Sequence, residues 1–170
     1  MDTSSVYDWL FHLSPFTPLL VLLASVLDIF FLTGLLFYGA AMLSAIVMLL
    51  MTNMISVEAL LISAFIGSTL GNVVNYWVGR SFGTTEFVTK RLQNQKIQRF
   101  EQFLERRGLL VFMIVGRFIT FTRPLYALLL GSLGVSFRRF LVRELPLTLV
   151  WVSFWLWVIL QGESVLTKWF

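Results

Sequence analysis

Apolar residues run almost unbroken through most of this chain, and the rare polar positions divide it into elements. The stretch 16–51 holds 36 residues and a single charge, Asp28. As one straight helix it would be about 54 Å long, well beyond a hydrocarbon core of about 30 Å. It must break or turn, and the break falls between Asp28 and Gly39, where Asp28, Thr33, Gly34 and Gly39 interrupt the apolar run. A helix–turn–helix that enters and leaves by the same face fits this length better than two full spans without a polar loop. One tilted span plus an interfacial helix is the competing reading.

The stretch 56–78 reads as an orthodox transmembrane helix. Glu58 opens it, and Gly67-Ser68-Thr69-Leu70-Gly71 supplies a small-xxx-small face for close helix approach. Asn72 and Tyr76 share one face of its lower half and Asn75 adjoins it. Such groups either bind helices together or line a polar cavity. Gly79-Arg80-Ser81-Phe82-Gly83 is expected to leave the membrane. The stretch 84–107 then reads as an amphipathic helix, with Val88, Leu92, Ile97, Phe100 and Leu104 as its apolar stripe and a mainly basic polar face. Gly108 is the expected glycine cap at its end.

A second irregular hairpin is predicted over 109–134. Its centre, Gly116-Arg117-Phe118-Ile119-Thr120-Phe121-Thr122-Arg123-Pro124, puts two arginines six residues apart inside apolar sequence. An arginine at mid-bilayer costs about 3 kcal/mol or more, so it is rarely left there without a task. The proline and the threonines argue against an uninterrupted helix, and irregular backbone at membrane depth survives only where protein or a water-filled cavity surrounds it. The last span is predicted over 146–160, preceded by a basic patch of Arg138, Arg139 and Arg143.

Composition turns this pattern into a class. The chain is 58% hydrophobic, with 13 Lys/Arg and 9 Asp/Glu in 170 residues, and its mean hydropathy is +0.84. That is an all-α integral membrane protein. The absence of cysteine excludes disulfides, Cys-based metal sites and thiol chemistry. The one histidine, His12, reads as interfacial, and Met1-Asp2-Thr3-Ser4-Ser5 lacks the basic stretch of a signal peptide. Net charge is only +4 and concentrated between 80 and 143, which suits an anionic leaflet better than nucleic acid.

Charge also sets an expected orientation. Seven Lys/Arg lie in 80–107 and three in 138–143, so both loops are expected in the cytoplasm; the first 15 residues and the link 52–58 have none. The chain then becomes two inverted repeats. Each is a re-entrant helical hairpin followed by a transmembrane helix, and the cytoplasmic amphipathic helix links them. Inverted repeats whose broken elements meet near the midplane are a transporter arrangement.

Tyr76-Trp77-Val78-Gly79-Arg80-Ser81-Phe82-Gly83 and Gly116-Arg117-Phe118-Ile119 through Arg123, with Gly131 and Gly134 following, resemble the DedA family, also called the VTT or SNARE-associated Golgi protein domain. The likeness covers roughly residues 65 to 160 and keeps the order and spacing of the family's Y-x-x-G-R-x-x-G, G-R-F-[IV]-P-x-x-R and G-x-x-G stretches. It implies two re-entrant loops and a part in moving lipids across a membrane. Bacterial relatives are associated with undecaprenyl phosphate recycling and proton-motive force, eukaryotic ones with phospholipid scrambling. Thr120 stands where the family usually has proline, and the first hairpin lacks the family's Pro-Gly-acidic motif and the glutamate before it. Asp28 is the only acidic residue left there.

The expected function is that of a flippase-like lipid transporter. Arg117 and Arg123 would hold a lipid phosphate by charge-assisted hydrogen bonds while the tails stay in lipid. Thr120, Thr122, Asn75 and Tyr76 would complete a polar groove, and Asp28, competing for the arginines, is the proton-coupling candidate. The structural alternative pairs the arginines with Asp28 and backbone carbonyls merely to hold the hairpins together. Gly67, Gly71, Gly79, Arg80, Gly83, Gly116, Gly131 and Gly134 are expected to serve structure. Membrane lipids, above all an anionic lipid phosphate, are the expected partners, with a homo-oligomer as a further candidate. No cofactor, metal or covalent catalysis is expected. An assembly factor built on Gly67/Gly71 packing and an enzyme acting on lipid phosphate are the other classes.

Overall fold

The computed structural model describes residues 14–30, 39–83, 108–119, 122–123 and 125–169, with backbone alone over 39–44 and 162–169. His12, Thr33, Gly34, Thr120, Pro124 and the 84–107 linker lie outside these residues. Every regular element among them is helical. Helix α1 covers Thr17–Ile29, α2 Gly39–Met51, α3 Val57–Gly83, α4 Leu109–Phe118, α5 Tyr126–Ser132 and α6 Phe137–Trp169.

The long apolar run is divided where the sequence places its polar residues. Helix α1 ends at Ile29, with Phe30 extended, and α2 starts at Gly39. At 13 residues each, these helices reach about 20 Å, short of a hydrocarbon core. In the second half α4 has 10 residues and α5 has 7, shorter still. Among the described residues two helices are long and apolar enough to cross a membrane, Val57–Gly83 and Phe137–Gln161.

Both of these long helices are entered by one device. Helix α2 ends with Asn53 at φ 52°, Met54 N–H donating to Leu49 O at 3.0 Å and Asn53 N–H to Leu50 O at 3.0 Å. Helix α5 ends with Gly134 at φ 72°, Val135 N–H donating to Leu130 O at 3.2 Å and Gly134 N–H to Gly131 O at 3.1 Å. This is the left-handed helix stop that satisfies the last carbonyls, and it needs Gly or Asn. A serine follows each time. The Ser56 hydroxyl accepts the Ala59 N–H at 3.2 Å as the cap of α3, and the Ser136 carbonyl accepts Phe140 N–H at 3.0 Å in α6.

Helix α3 is the central beam. Its upper half seats α1, where Gly67 faces the Leu22 carbonyl and Ser25, and Gly71 lies against Ile29. Its lower half seats α5. Any side chain at Gly79 would strike the Leu128 backbone, one at Gly83 the Ser132 backbone, and one at Gly131 the Tyr76 carbonyl. Around this contact Tyr76, Leu109, Met113, Tyr126, Ala127, Leu130 and Phe140 form a closed apolar core. The outer face of α3 is apolar as well: Ile62, Ile66, Leu70 and Val74 are exposed at helical spacing. A surface of this kind belongs in lipid.

The element bounds shift in three places. Helix α3 runs on through Gly83, past the expected 56–78 span, and the glycines at 79 and 83 let α5 approach. Gly108 is right-handed, at φ −75° and ψ −17°, and stands as the N-cap of α4; the helix it was expected to close lies outside the described residues. The last helix starts at Phe137, so 138–143 is its first turns and not a loop, and Pro146 lies inside it. Proline within a membrane helix is tolerated where neighbours resatisfy the freed carbonyl. Mixed charge and proline made this region look like an entrance, but Glu144 within it is neutralised by an arginine on another helix.

Candidate functional site

Four helices meet at one carboxylate. Glu144 on α6 is fully buried. Its Oε1 accepts from Arg117 Nη1 of α4 at 2.7 Å, from Asn72 Nδ2 of α3 at 2.7 Å and from Thr148 Oγ1 at 2.8 Å. Its Oε2 accepts from the Tyr126 hydroxyl of α5 at 2.8 Å, and Tyr126 in turn accepts from Arg117 Nη1 at 3.0 Å. A buried ion pair needs further hydrogen bonds to replace the lost water, and the carboxylate finds three beside the arginine.

Arg117 nevertheless keeps capacity in reserve. Its side chain is 1% exposed, and Nε and Nη2 have no hydrogen-bond partner among the described residues. Those two nitrogens form one edge of the guanidinium, the edge that grips two oxygens side by side. All of its partnered chemistry is on Nη1. The arginine is thus fixed at one end and open at the other.

A second ion pair lies close by and is less enclosed. Arg123 Nη2 sits 2.8 Å from Asp28 Oδ2, with side chains 24% and 9% exposed, and it joins the loop after α4 to the last turn of α1. Arg123 Nε is buried and also lacks a partner among the described residues. Trp151 of α6, half-buried, brings the two pairs together: the guanidinium carbons of Arg117 and Arg123 lie 6.0 and 5.5 Å from its ring centroid. Contacts of this kind favour the cation when water is excluded.

The remaining expected groove residues lie elsewhere or are otherwise engaged. Asn75 donates to the Ile29 carbonyl at 2.7 Å and so fastens α3 to the end of α1. The Tyr76 hydroxyl donates to the Val135 carbonyl and accepts from Arg80 at 3.2 Å, while its ring stacks on Phe140 at 4.9 Å. Thr122 contacts the Gly116 and Ile119 carbonyls at 2.9 and 3.0 Å and closes the end of α4. Gly116 lets Tyr126 pack directly over that turn. Asp28 pairs with Arg123, and Arg117 pairs with Glu144.

Glu144, Asn72, Tyr126, Thr148 and Trp151 belong to this site although the sequence reading did not place them in it. A signal existed. Phe140, Glu144, Thr148, Val152 and Leu156 are all buried and recur every four residues, which marks one helical face running through the charged patch.

Two apolar spans, a lipid-compatible exterior and paired charges sealed between helices define a helical membrane protein that stores polar chemistry in its interior. The chain matches the VTT domain over residues 14–161 and belongs to that family, the DedA family. It is 30% identical over 122 residues to Protein DedA of Escherichia coli (strain K12), covering 70% of this chain and 53% of that protein. It is 28% identical over 138 residues to the membrane protein BU139 of Buchnera aphidicola, covering 80% and 54%. With the inner membrane protein YabI of Escherichia coli (strain K12) it shares 25% over 148 residues, covering 85% and 58%. The chain spans about half the length of the curated relatives it matches. No solved structure matches it.

Proposed function

We propose that the protein moves a lipid with an anionic phosphate headgroup, a polyprenyl phosphate or a phospholipid, across the bilayer. The observation that carries this reading is the open guanidinium edge of Arg117, buried beside Arg123 and Trp151. A phosphate offers two oxygens at the spacing of that edge and one net charge to match it. The tails need no site, because the apolar exterior of α3 and α6 is continuous with lipid. The anion displaces Asp28 from Arg123, the more exposed pair, and protonation of Asp28 would ease that exchange, which is how a proton gradient would couple to it.

The two hairpins read as re-entrant, since none of their four helices is long enough to span. The repeated left-handed stop before α3 and α6 supports a pair of hairpin-plus-span units, placed here in opposite orientation with the basic segments 80–107 and 138–143 on the cytoplasmic side of a bacterial inner membrane. Gly67 and Gly71 are occupied by α1 of the same chain, which weakens an assembly-factor reading based on their exposure. No covalent step is needed.

The test is reconstitution of the purified chain into vesicles carrying a labelled short-chain lipid phosphate, with an impermeant quencher outside. Wild type is expected to bring inner-leaflet label within reach of the quencher, and Arg117→Ala with Arg123→Ala to lose this. Equal rates in wild type and the double variant would reject the arginine site.

A further inference from the structure

Resting on the lipid-phosphate reading, we infer that Glu144 is a fixed counter-charge that makes the site select a singly charged phosphate headgroup over a doubly charged one. The four acceptor contacts of Glu144 come from α3, α4, α5 and its own helix, and its side chain is 0% exposed. It cannot turn away when a ligand arrives. Among the described residues Asp28 has one ion-pair contact, to Arg123, and lies where the loop after α4 meets α1. Of the two carboxylates, only Asp28 is free to yield.

The charge count follows from that asymmetry. Arg117 is balanced by Glu144 and Arg123 by Asp28. An arriving phosphate takes the Nε and Nη2 edge of Arg117 and the Nε of Arg123, and it releases Asp28. With Glu144 held in place, two guanidinium charges then face one fixed carboxylate, leaving a single positive charge to be met. A phosphodiester meets it. A phosphomonoester meets it only while it keeps its last proton; its second negative charge would be buried beside Glu144 with nothing to balance it. Among the described residues the other groups bonded to Glu144 are Asn72, Tyr126 and Thr148, all neutral donors, so none of them alters the count.

This also makes Glu144 a positioning residue. By drawing Nη1 into the network it fixes which guanidinium edge is offered, and Trp151 lies over the same group at 6.0 Å.

The experiment uses the purified full chain in detergent with two short-chain probes, dihexanoyl phosphatidylglycerol as diester and dihexanoyl phosphatidate as monoester. Affinities are measured at about pH 5 and about pH 8, either side of a monoester second ionisation near pH 6. The diester serves as the reference that absorbs any effect of pH on the protein. Relative to it, the monoester is expected to bind about tenfold more weakly at the higher pH. In Glu144→Gln that relative loss should shrink to about twofold or less. A monoester that keeps its relative affinity at the higher pH in wild type overturns the inference, and this arm needs no variant to fold. An unchanged pH effect in folded Glu144→Gln overturns the role of Glu144. Failure of both probes to bind at either pH defeats the lipid-phosphate reading itself. Displacement of the diester by equimolar inorganic phosphate would identify a free anion rather than a lipid as the ligand.

Discussion

The two hairpins are attached to the same helix in different ways. The second is locked to α3: backbone meets backbone at Gly79, Gly83 and Gly131, Tyr76 bonds across to Val135, and the Arg117–Glu144 pair beneath is fully enclosed. The first packs as closely at Gly67, where a side chain would strike the Leu22 carbonyl, and more loosely at Gly71 against Ile29; its polar ties are the Asn75 bond to the Ile29 carbonyl and the partly exposed Asp28–Arg123 pair. A closed contact whose carboxylate is held by four donors resists rearrangement, whereas one ion pair at an edge can be exchanged for another. The difference separates a part that sets geometry from a part that can respond.

The sharpest way to break this contrast is to remove Glu144. Glu144→Ala leaves Arg117 charged and buried without its partner, a loss expected to reach about 3–5 kcal/mol. Thermal unfolding in detergent should show a large drop in Tm, or no folded protein. A Tm close to wild type would mean that the enclosed network is not what holds the second hairpin.

Next comes the seat itself. Gly79→Ala forces a methyl into the Leu128 backbone, which cannot swing aside as a side chain does, so a cost of about 1–3 kcal/mol or more is expected. Gly71→Ala meets the Ile29 side chain and the Val26 carbonyl at 3.1 Å and should cost clearly less. Comparing the two Tm values checks the order; a larger loss at Gly71 would reverse the roles assigned to the hairpins.

Asp28→Asn is expected to change stability by only about 1 kcal/mol, since Arg123 is partly solvated and asparagine keeps an acceptor for it. Lipid movement per folded molecule should nevertheless be lost or cease to depend on pH. Full activity across the pH range would remove Asp28 from the mechanism. A large Tm loss with unchanged activity per molecule would make its pair structural.

The smallest effect on the fold should come from Arg123→Lys. Lysine can still pair with Asp28 but presents no planar edge, so Tm should hold while affinity for a short-chain lipid phosphate falls. Unchanged affinity would mean that a point charge is enough at this position.

Much of this arrangement was legible in the sequence. Asp28, Arg117 and Arg123 stand out because a charge in an apolar run has few explanations. The small-residue face of α3 and the break of the 16–51 run were readable from spacing. Glu144 was hidden by its surroundings: Arg138, Arg139, Arg143 and Pro146 imitate the polar edge of a span, and a carboxylate among basic residues reads as surface. Its partner comes from another helix, and a one-dimensional pattern does not display that contact. Asn75 and Tyr76 read in the sequence as groups that bind helices or line a cavity, and the packing shows them bonded to the Ile29 and Val135 carbonyls.

The order of synthesis gives the Arg117–Glu144 pair a further meaning. Glu144 is made 27 residues after Arg117, an interval on the order of seconds at ordinary translation rates. Until then α4 and α5 are short segments carrying an unmatched guanidinium, poorly suited to enter lipid by themselves. The second hairpin can settle only after α6 has been threaded into the membrane and its carboxylate delivered. Helix α6 is therefore both a wall of the site and the segment that delivers the charge the second hairpin needs, and a chain truncated before residue 144 is expected to leave Arg117 without its carboxylate.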